Sequence, residues 1–303
     1  VRAANNGIGF YLREGHEQSL FTIDAAHEGG LKAAIFALYL SDVWQDAHTE
    51  AEAFEELRIQ RNRLINGFRV LFPNPNHNFN LEHFLQDVND APDWFPVLLG
   101  LEGGRLIHNS LDRLKTYAEW GIRYLTLTHN RNTNWADSAT DFEHIGGLSG
   151  FGRDVIKKCN ELNILVDVSH ASDHTAYDAI DISTKPVIAS HSGVRSLVKQ
   201  PRNLSDSLIK RIAQTGGIIC VPFAKRFMGH YKVSDHINYI VDLVGVNHVG
   251  IGSDIDGAVL IPGFTSITQW KDTIVPDLMG AGWSQVDIDK ILGGNLLRVL
   301  KNA

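Results

Sequence analysis

The chain has 303 residues, 44% of them hydrophobic and 21% charged, and a net charge of −7. That balance fits one large α/β domain or two small ones, with a core large enough to need no disulfides, and it argues against nucleic acid as the main partner. No run of 18 apolar residues occurs, so no membrane-spanning helix is expected, and neither a signal peptide at Val1 nor a hydrophobic anchor tail at Ala303 is visible.

Residues 1–20 are polar and show no clear period. The apolar run in GGLKAAIFALYL predicts a strand near 33–40. Over 49–72, Ala53, Phe54 and Leu57, then Leu64, Ile65 and Phe68, have helical spacing, with Gln60 and Arg61 interrupting the stripe. PNPNHN is a turn cluster, and 81–88 has the pattern of a short helix. A strand at 97–101 delivers Glu102-Gly103-Gly104. A helix over 109–121 ends at glycine. A strand at 123–127 delivers Thr128-His129-Asn130, a loop runs to Gly147, and 152–163 is a helix.

Next come two short apolar runs, Ile164–Val168 and Val187–Ala189, each followed by a serine and a histidine: Ser169-His170 and Ser190-His191. Runs of about five residues suit buried parallel strands. The helix-length connector between them makes a βαβ unit. Both histidines thus fall at the C-terminal ends of neighbouring parallel strands, where two imidazoles could share a metal ion. One such histidine alone is more often a satisfied residue at a strand end; the repeat favours the shared ion. Beyond it, 205–215 is a helix with Ser205 as its N-cap, 217–221 a strand, 234–244 a helix, and 248–252 a strand delivering Ser253-Asp254. Helices over 272–278 and 284–300 close the chain.

Seven strands alternating with helices predict an α/β fold with a parallel sheet closed by helices, of the (β/α)8 barrel type, although such a barrel needs eight. No linker divides the chain, so residues 1–303 read as a single domain. Cys159 and Cys220, the only cysteines, have no CxxC neighbour and read as plain thiols. Fourteen histidines point weakly to metal chemistry.

Other residues stand out by position. Glu102 ends an apolar strand before two glycines that let a ligand approach closely, and its carboxylate could bridge metal ions. His129, as a neutral imidazole, could polarise a carbonyl, or be an ordinary loop histidine. Asp254 is a candidate general base or metal ligand. Spacing alone does not rank it above Asp256, since alternate residues of a strand share a face. Arg202 could clamp a carboxylate, although on sequence alone a surface cation is the better reading.

LEGGRLIHNSL, RYLTLTHNRNTNWAD, GLSGFGRDVI, VDVSHAS, VIASHSGVRSL, PRN and GIGSDIDG resemble, in this order, the motifs of the membrane (renal) dipeptidase family of zinc peptidases, which belongs to the amidohydrolase-like barrels. The resemblance covers the chain from about Phe21 onward. It implies a (β/α)8 barrel and a dipeptidase with two zinc ions bridged by a glutamate, here Glu102. It makes His170 and His191 the ligands of the second zinc. It gives His129 a substrate contact that stabilises the tetrahedral oxyanion, Arg202 the C-terminal carboxylate of a dipeptide, and Asp254 the transfer of a proton from the bridging water to the leaving amine. It also implies a homodimer and tolerance of a C-terminal D-residue.

The chain departs from the family pattern in four places. The His-x-Asp pair of the family's opening strand has no counterpart near Val1. The nearest string, His16-Glu17-Gln18, has glutamine in third position. The absent pair and the absent eighth strand read as one absence, with the strand expected before Val1 and the first metal site incomplete in residues 1–303. Arg131 stands where mammalian members have a disulfide cysteine. Phe227 takes the place of a tyrosine near the substrate. The lipid-anchor signal of the mammalian members is missing. The expectation is therefore a soluble bacterial enzyme of the cytoplasm or periplasm, with no membrane anchor. The alternatives are another amide or lactam hydrolase on the same barrel, and a metal-poor barrel kept as a binding protein.

Overall fold

A computed structural model of the chain describes residues 20–71, 79–90 and 95–303. The string His16-Glu17-Gln18 and the turn PNPNHN lie outside the described residues. Seven strands form one sheet in chain order: β1 (Ala34–Tyr39), β2 (Val97–Glu102), β3 (Ile122–Thr126), β4 (Leu165–Asp167), β5 (Val187–Ala189), β6 (Ile218–Val221) and β7 (Val249–Ile251). Every neighbouring pair is parallel. The strands are short, and β4, β5 and β6 consist wholly of buried residues. Leu99, Leu101, Leu125, Val166, Val187, Ala189, Ile219 and Val221 face one core. Leu98, Leu165, Ile188, Ile218 and Cys220 face another, with Val299 and Leu300 of the C-terminal helix. This alternation puts Leu98, Gly100 and Glu102 on the second face. The ring of Tyr124 lies where a side chain at Gly100 would be, so the missing Cβ admits a partly buried tyrosine.

The sheet is strongly curled. Strands in a flat sheet are about 4.8 Å apart, so β2 and β5 would be roughly 14 Å apart. Yet Glu102 Oε1, at the end of β2, lies 3.4 Å from His191 Nε2, beyond the end of β5. Among the described residues, β1 pairs only with β2 and β7 only with β6, so the curl does not close on itself.

The connecting helices start on serines whose hydroxyls accept a first-turn N–H: Ser110, Ser149, Ser172 and Ser205 cap helices Leu111–Glu119, Gly150–Glu161, Asp173–Ile182 and Asp206–Gln214. Two features of the sequence reading change. The expected single helix over 284–300 is broken into Gln285–Asp289, a π turn at Lys290–Gly294, and Asn295–Lys301, because Gly293 leaves helical backbone. Short helices at Ile23–Glu28 and Asp42–Ala47, which have too few turns to show a period, flank β1. No helix among the described residues is long and apolar enough to cross a membrane.

Candidate metal centre

The C-terminal ends of the strands converge on three potential ligands. Glu102 is the last residue of β2. His170 and His191 each follow their strands, β4 and β5, by two or three residues. Glu102 Oε1 lies 3.2 Å from His170 Nε2 and 3.4 Å from His191 Nε2, and the two imidazole nitrogens are 3.0 Å apart. His170 reaches this position through left-handed backbone, with φ of 69°. Both histidines are buried. Burial pushes His170 well below the usual imidazole range, and the charges of Arg202 and His129 push the same way. Burial does the same to His191 against the opposing pull of Glu102. Two neutral imidazoles and a carboxylate present lone pairs to one point.

These donors fit a metal. Zinc bonded to N or O at about 2.0–2.2 Å in tetrahedral geometry spaces its ligand atoms roughly 3.3–3.6 Å apart, close to the separations here. His191 Nδ1 bonds the Ser190 hydroxyl at 2.8 Å, while the buried His170 Nδ1 has no partner among the described residues.

Three further residues surround this cluster. His129, beyond β3, packs its ring against His170, with centroids 4.5 Å apart, and against Tyr39 of β1. Its Nδ1 lies 3.0 Å from Asp42 Oδ2. Arg202 is 4% exposed, contrary to the surface reading from sequence alone. Its guanidinium sits over the Phe227 ring, 5.1 Å from the centroid, and Nη2 donates weakly to the His191 carbonyl at 3.5 Å. Nε has no partner, and no carboxylate among the described residues forms an ion pair with it. Burial pulls Arg202 down to about 10, against the charges of Glu102, Asp254 and Asp167. A buried cation with an unused face is a receptor for an anion.

Asp254 follows β7, again on left-handed backbone, with φ of 56°. Its carboxyl is pushed up to about 7, first by burial and then by the charge of Glu102, against Arg202 and His129. Asp256 is exposed instead, and its Oδ1 accepts from Leu20 N at 3.0 Å. The structure therefore separates two residues that spacing could not. Because Asp254 is ionised more readily unfolded than folded, the unfolded chain binds fewer protons between about pH 4 and pH 7, and stability falls as pH rises through that window. Asp254→Asn removes this loss. Metal-free variant and parent are expected to melt alike near pH 4, with the variant higher at pH 8; thermal unfolding in chelator at the two pH values measures it, and equal gaps at both would refute the assignment.

Sequence reasoning missed two buried carboxylates. Asp42 holds His129 and lies 3.5 Å from Arg105. Its signal was a carboxylate three residues past a strand, masked because Ser41-Asp42 also starts a helix. Asp167 is fully buried at the end of β4 and accepts four hydrogen bonds, from the hydroxyls of Thr126 and Ser190 and the amides of Ser169 and Ser190. A wide groove of 1120 Å³ beside the centre, lined by Asp173, Arg195, Lys199 and Lys210 among others, contains none of the converging residues.

The sequence and the fold both have relatives among known proteins. The model of the membrane dipeptidase family (peptidase family M19) matches residues 10–303. Dipeptidase 3 of Mus musculus is 35% identical over 290 residues, which cover 92% of this chain and 57% of that protein. Dipeptidase tcpJ of Claviceps purpurea (strain 20.1) is 35% identical over 213 residues, 67% of this chain and 50% of that protein. The chain thus spans little more than half the length of these curated relatives. Among solved structures, a metallo peptidase from Rhodobacter sphaeroides, liganded with a phosphinate mimic of the dipeptide L-Ala-D-Ala, superposes with a TM-score of 0.87 at 22% identity, covering 99% of this chain and 95% of that one. The probable dipeptidase PvdM from Pseudomonas aeruginosa gives 0.83 at 23% identity, covering 96% and 90%. At that identity the two structures establish the fold.

Proposed function

Since the chain belongs to the membrane dipeptidase family, we propose that it is a zinc-dependent dipeptidase acting on small dipeptides, including those with a C-terminal D-residue. The observation that carries the reading is the pairing of two features on one rim. Glu102, His170 and His191 bring three donor atoms within 3.0–3.4 Å of one another, and the buried guanidinium of Arg202 beside them has no ion pair among the described residues. Glu102, His170 and His191 would hold the zinc ion, and Glu102 would extend to a second. Zinc there would supply a positive charge that polarises the scissile carbonyl and acidifies the attacking water.

This chain's own residues supply the rest. Arg202 takes the free carboxylate of the dipeptide in its guanidinium fork, which fixes the scissile bond one residue from the clamp and excludes longer peptides. Asp254, poised near neutrality by burial, accepts the proton of the water and returns it to the leaving amine. His129 contacts the substrate carbonyl. Because Asp42 accepts from its Nδ1, donation from Nε2 to the developing oxyanion requires the imidazolium form. The open edges of β1 and β7 fit one further barrel strand, from outside the described residues, carrying the His-x-Asp pair of the other zinc site. The reading takes residues 1–303 as a single barrel domain that pairs as a homodimer.

Metal analysis with a dipeptide library tests the proposal. Zinc-loaded protein is expected to cleave free dipeptides and to lose that activity on chelation, with return on adding zinc. Zinc uptake without cleavage of any dipeptide would sink the function and leave the metal site standing.

A further inference from the structure

Ser190 stands between a buried carboxylate and a metal-site imidazole. Its Oγ lies 2.6 Å from Asp167 Oδ2 and 2.8 Å from His191 Nδ1. A hydroxyl has one proton to give. Asp167 sits at the centre of four donors: Oδ1 accepts from the amides of Ser169 at 3.0 Å and Ser190 at 2.8 Å, and Oδ2 from the hydroxyls of Thr126 and Ser190, both at 2.6 Å. Backbone amides can only donate, which fixes Oδ1 as an acceptor, and as a carboxylate Asp167 accepts at Oδ2 from the two hydroxyls as well. The Ser190 proton therefore goes to Asp167, and the contact with His191 can be made only if Nδ1 carries the ring proton. The other possible acceptor of that hydroxyl, Ser169 Oγ, is farther away at 3.3 Å and already accepts from His191 N.

We infer that Asp167 and Ser190 are positioning residues that form a directed relay, His191 Nδ1–H to Ser190 Oγ–H to Asp167, which fixes the tautomer of His191 so that its Nε2 lone pair points at Glu102 and His170. The neighbouring ligand has no such device among the described residues, where His170 Nδ1 has no hydrogen-bond partner. The relay makes His191 the ligand set in place before any ion arrives. Asp167 and Ser190 can do this because of sheet alternation: each is an inward-facing residue at the end of its strand, and parallel pairing of β4 with β5 brings the two ends together. Thr126, paired with Asp167 in the register of β3 and β4, supplies the remaining hydroxyl.

Polarity gives the relay a specific failure. In Asp167→Asn the side-chain amide can donate to Ser190, whose hydroxyl proton then turns to His191 Nδ1. The ring proton moves to Nε2 and covers the lone pair a metal needs. This inference rests on the reading of His191 as a metal ligand, but the tautomer can be measured without metal. In metal-free protein, imidazole 15N shifts, with His191 identified by its loss in His191→Gln, are expected to show Nδ1–H in the native chain and Nε2–H in Asp167→Asn. Zinc affinity, by competition with a chromophoric chelator, is expected to fall about 10–100-fold in Asp167→Asn and in Ser190→Ala. It should return in Ser190→Thr and fall no further in the double variant Asp167→Asn, Ser190→Ala than in Ser190→Ala. An unchanged tautomer in Asp167→Asn, or additive losses in the double variant, would overturn the relay. Should Asp167→Asn not fold, Ser190→Ala decides: native zinc affinity there overturns the relay, and a loss that Ser190→Thr restores supports it. If the native protein takes up no zinc at all, the ligand reading fails, while the tautomer still reports on the relay.

Discussion

Asp254→Asn is expected to lower kcat by roughly 10²–10⁴-fold, the range that a positioned general acid–base contributes. The substitution keeps the shape and removes the ability to take and return a proton. Zinc content and dipeptide affinity should change far less, because Asp254 is not among the three converging ligand atoms. Two observations make this residue the point of greatest effect. Its carboxyl is pushed up to about 7, so both protonation states are within reach at neutral pH. It lies on left-handed backbone three residues beyond β7, within reach of the charges of Glu102 and Arg202. Steady-state rates with matched metal content measure the effect; a kcat within threefold of the parent would remove Asp254 from the chemistry.

Arg202→Met should act on a different constant. A buried, hydrogen-bonded charge pair costs about 2–5 kcal/mol when one partner is removed, which is roughly thirtyfold or more in kcat/KM. The loss is expected mainly in KM, or in both constants if the clamp also orients the bond. Methionine is close in length and apolar, and it relieves the burial of a cation that has no ion-pair partner among the described residues. The variant should therefore melt no lower than the parent, which separates lost recognition from lost folding. A dipeptide and its C-terminal amide should differ sharply with the native chain and hardly at all with the variant. Equal rates on both substrates with the native chain would show that Arg202 is not the clamp.

Much of this arrangement was legible before any coordinates, and particular residues show why. The strands appear as short, mostly apolar runs, so all seven could be found, and the residues after each run were placed on the rim by the fold class alone. That is how Glu102, His129, His170, His191 and Asp254 stood out. Arg202 stood out as a possible clamp but read as a surface cation, because a guanidinium in a proline-containing loop has no local mark of burial; in the fold it is buried over the Phe227 ring. Asp42 was hidden by its second role in the first turn of a helix capped by Ser41. Asp167 was hidden inside the strand run itself, where one carboxylate among valines looks like a break in the pattern. Its three hydroxyl and amide neighbours, Thr126, Ser169 and Ser190, come from three segments that only the sheet register brings together.

The convergence of strand ends has a kinetic consequence. The residues of the centre are spread from Glu102 to Asp254, about half the chain, and none of them is near the others until the sheet has curled. A folding chain must close those loops before any of the donor atoms can meet. An ion that needs all of them has nothing to hold in the unfolded chain and little in the transition state, so its binding energy appears almost wholly in the barrier to unfolding. Zinc should leave the refolding rate unchanged and slow unfolding in proportion to its affinity, as stopped-flow mixing with and without the ion would register. The metal then acts as a lock on a sheet that has already curled, and the order of assembly is left to the apolar strands.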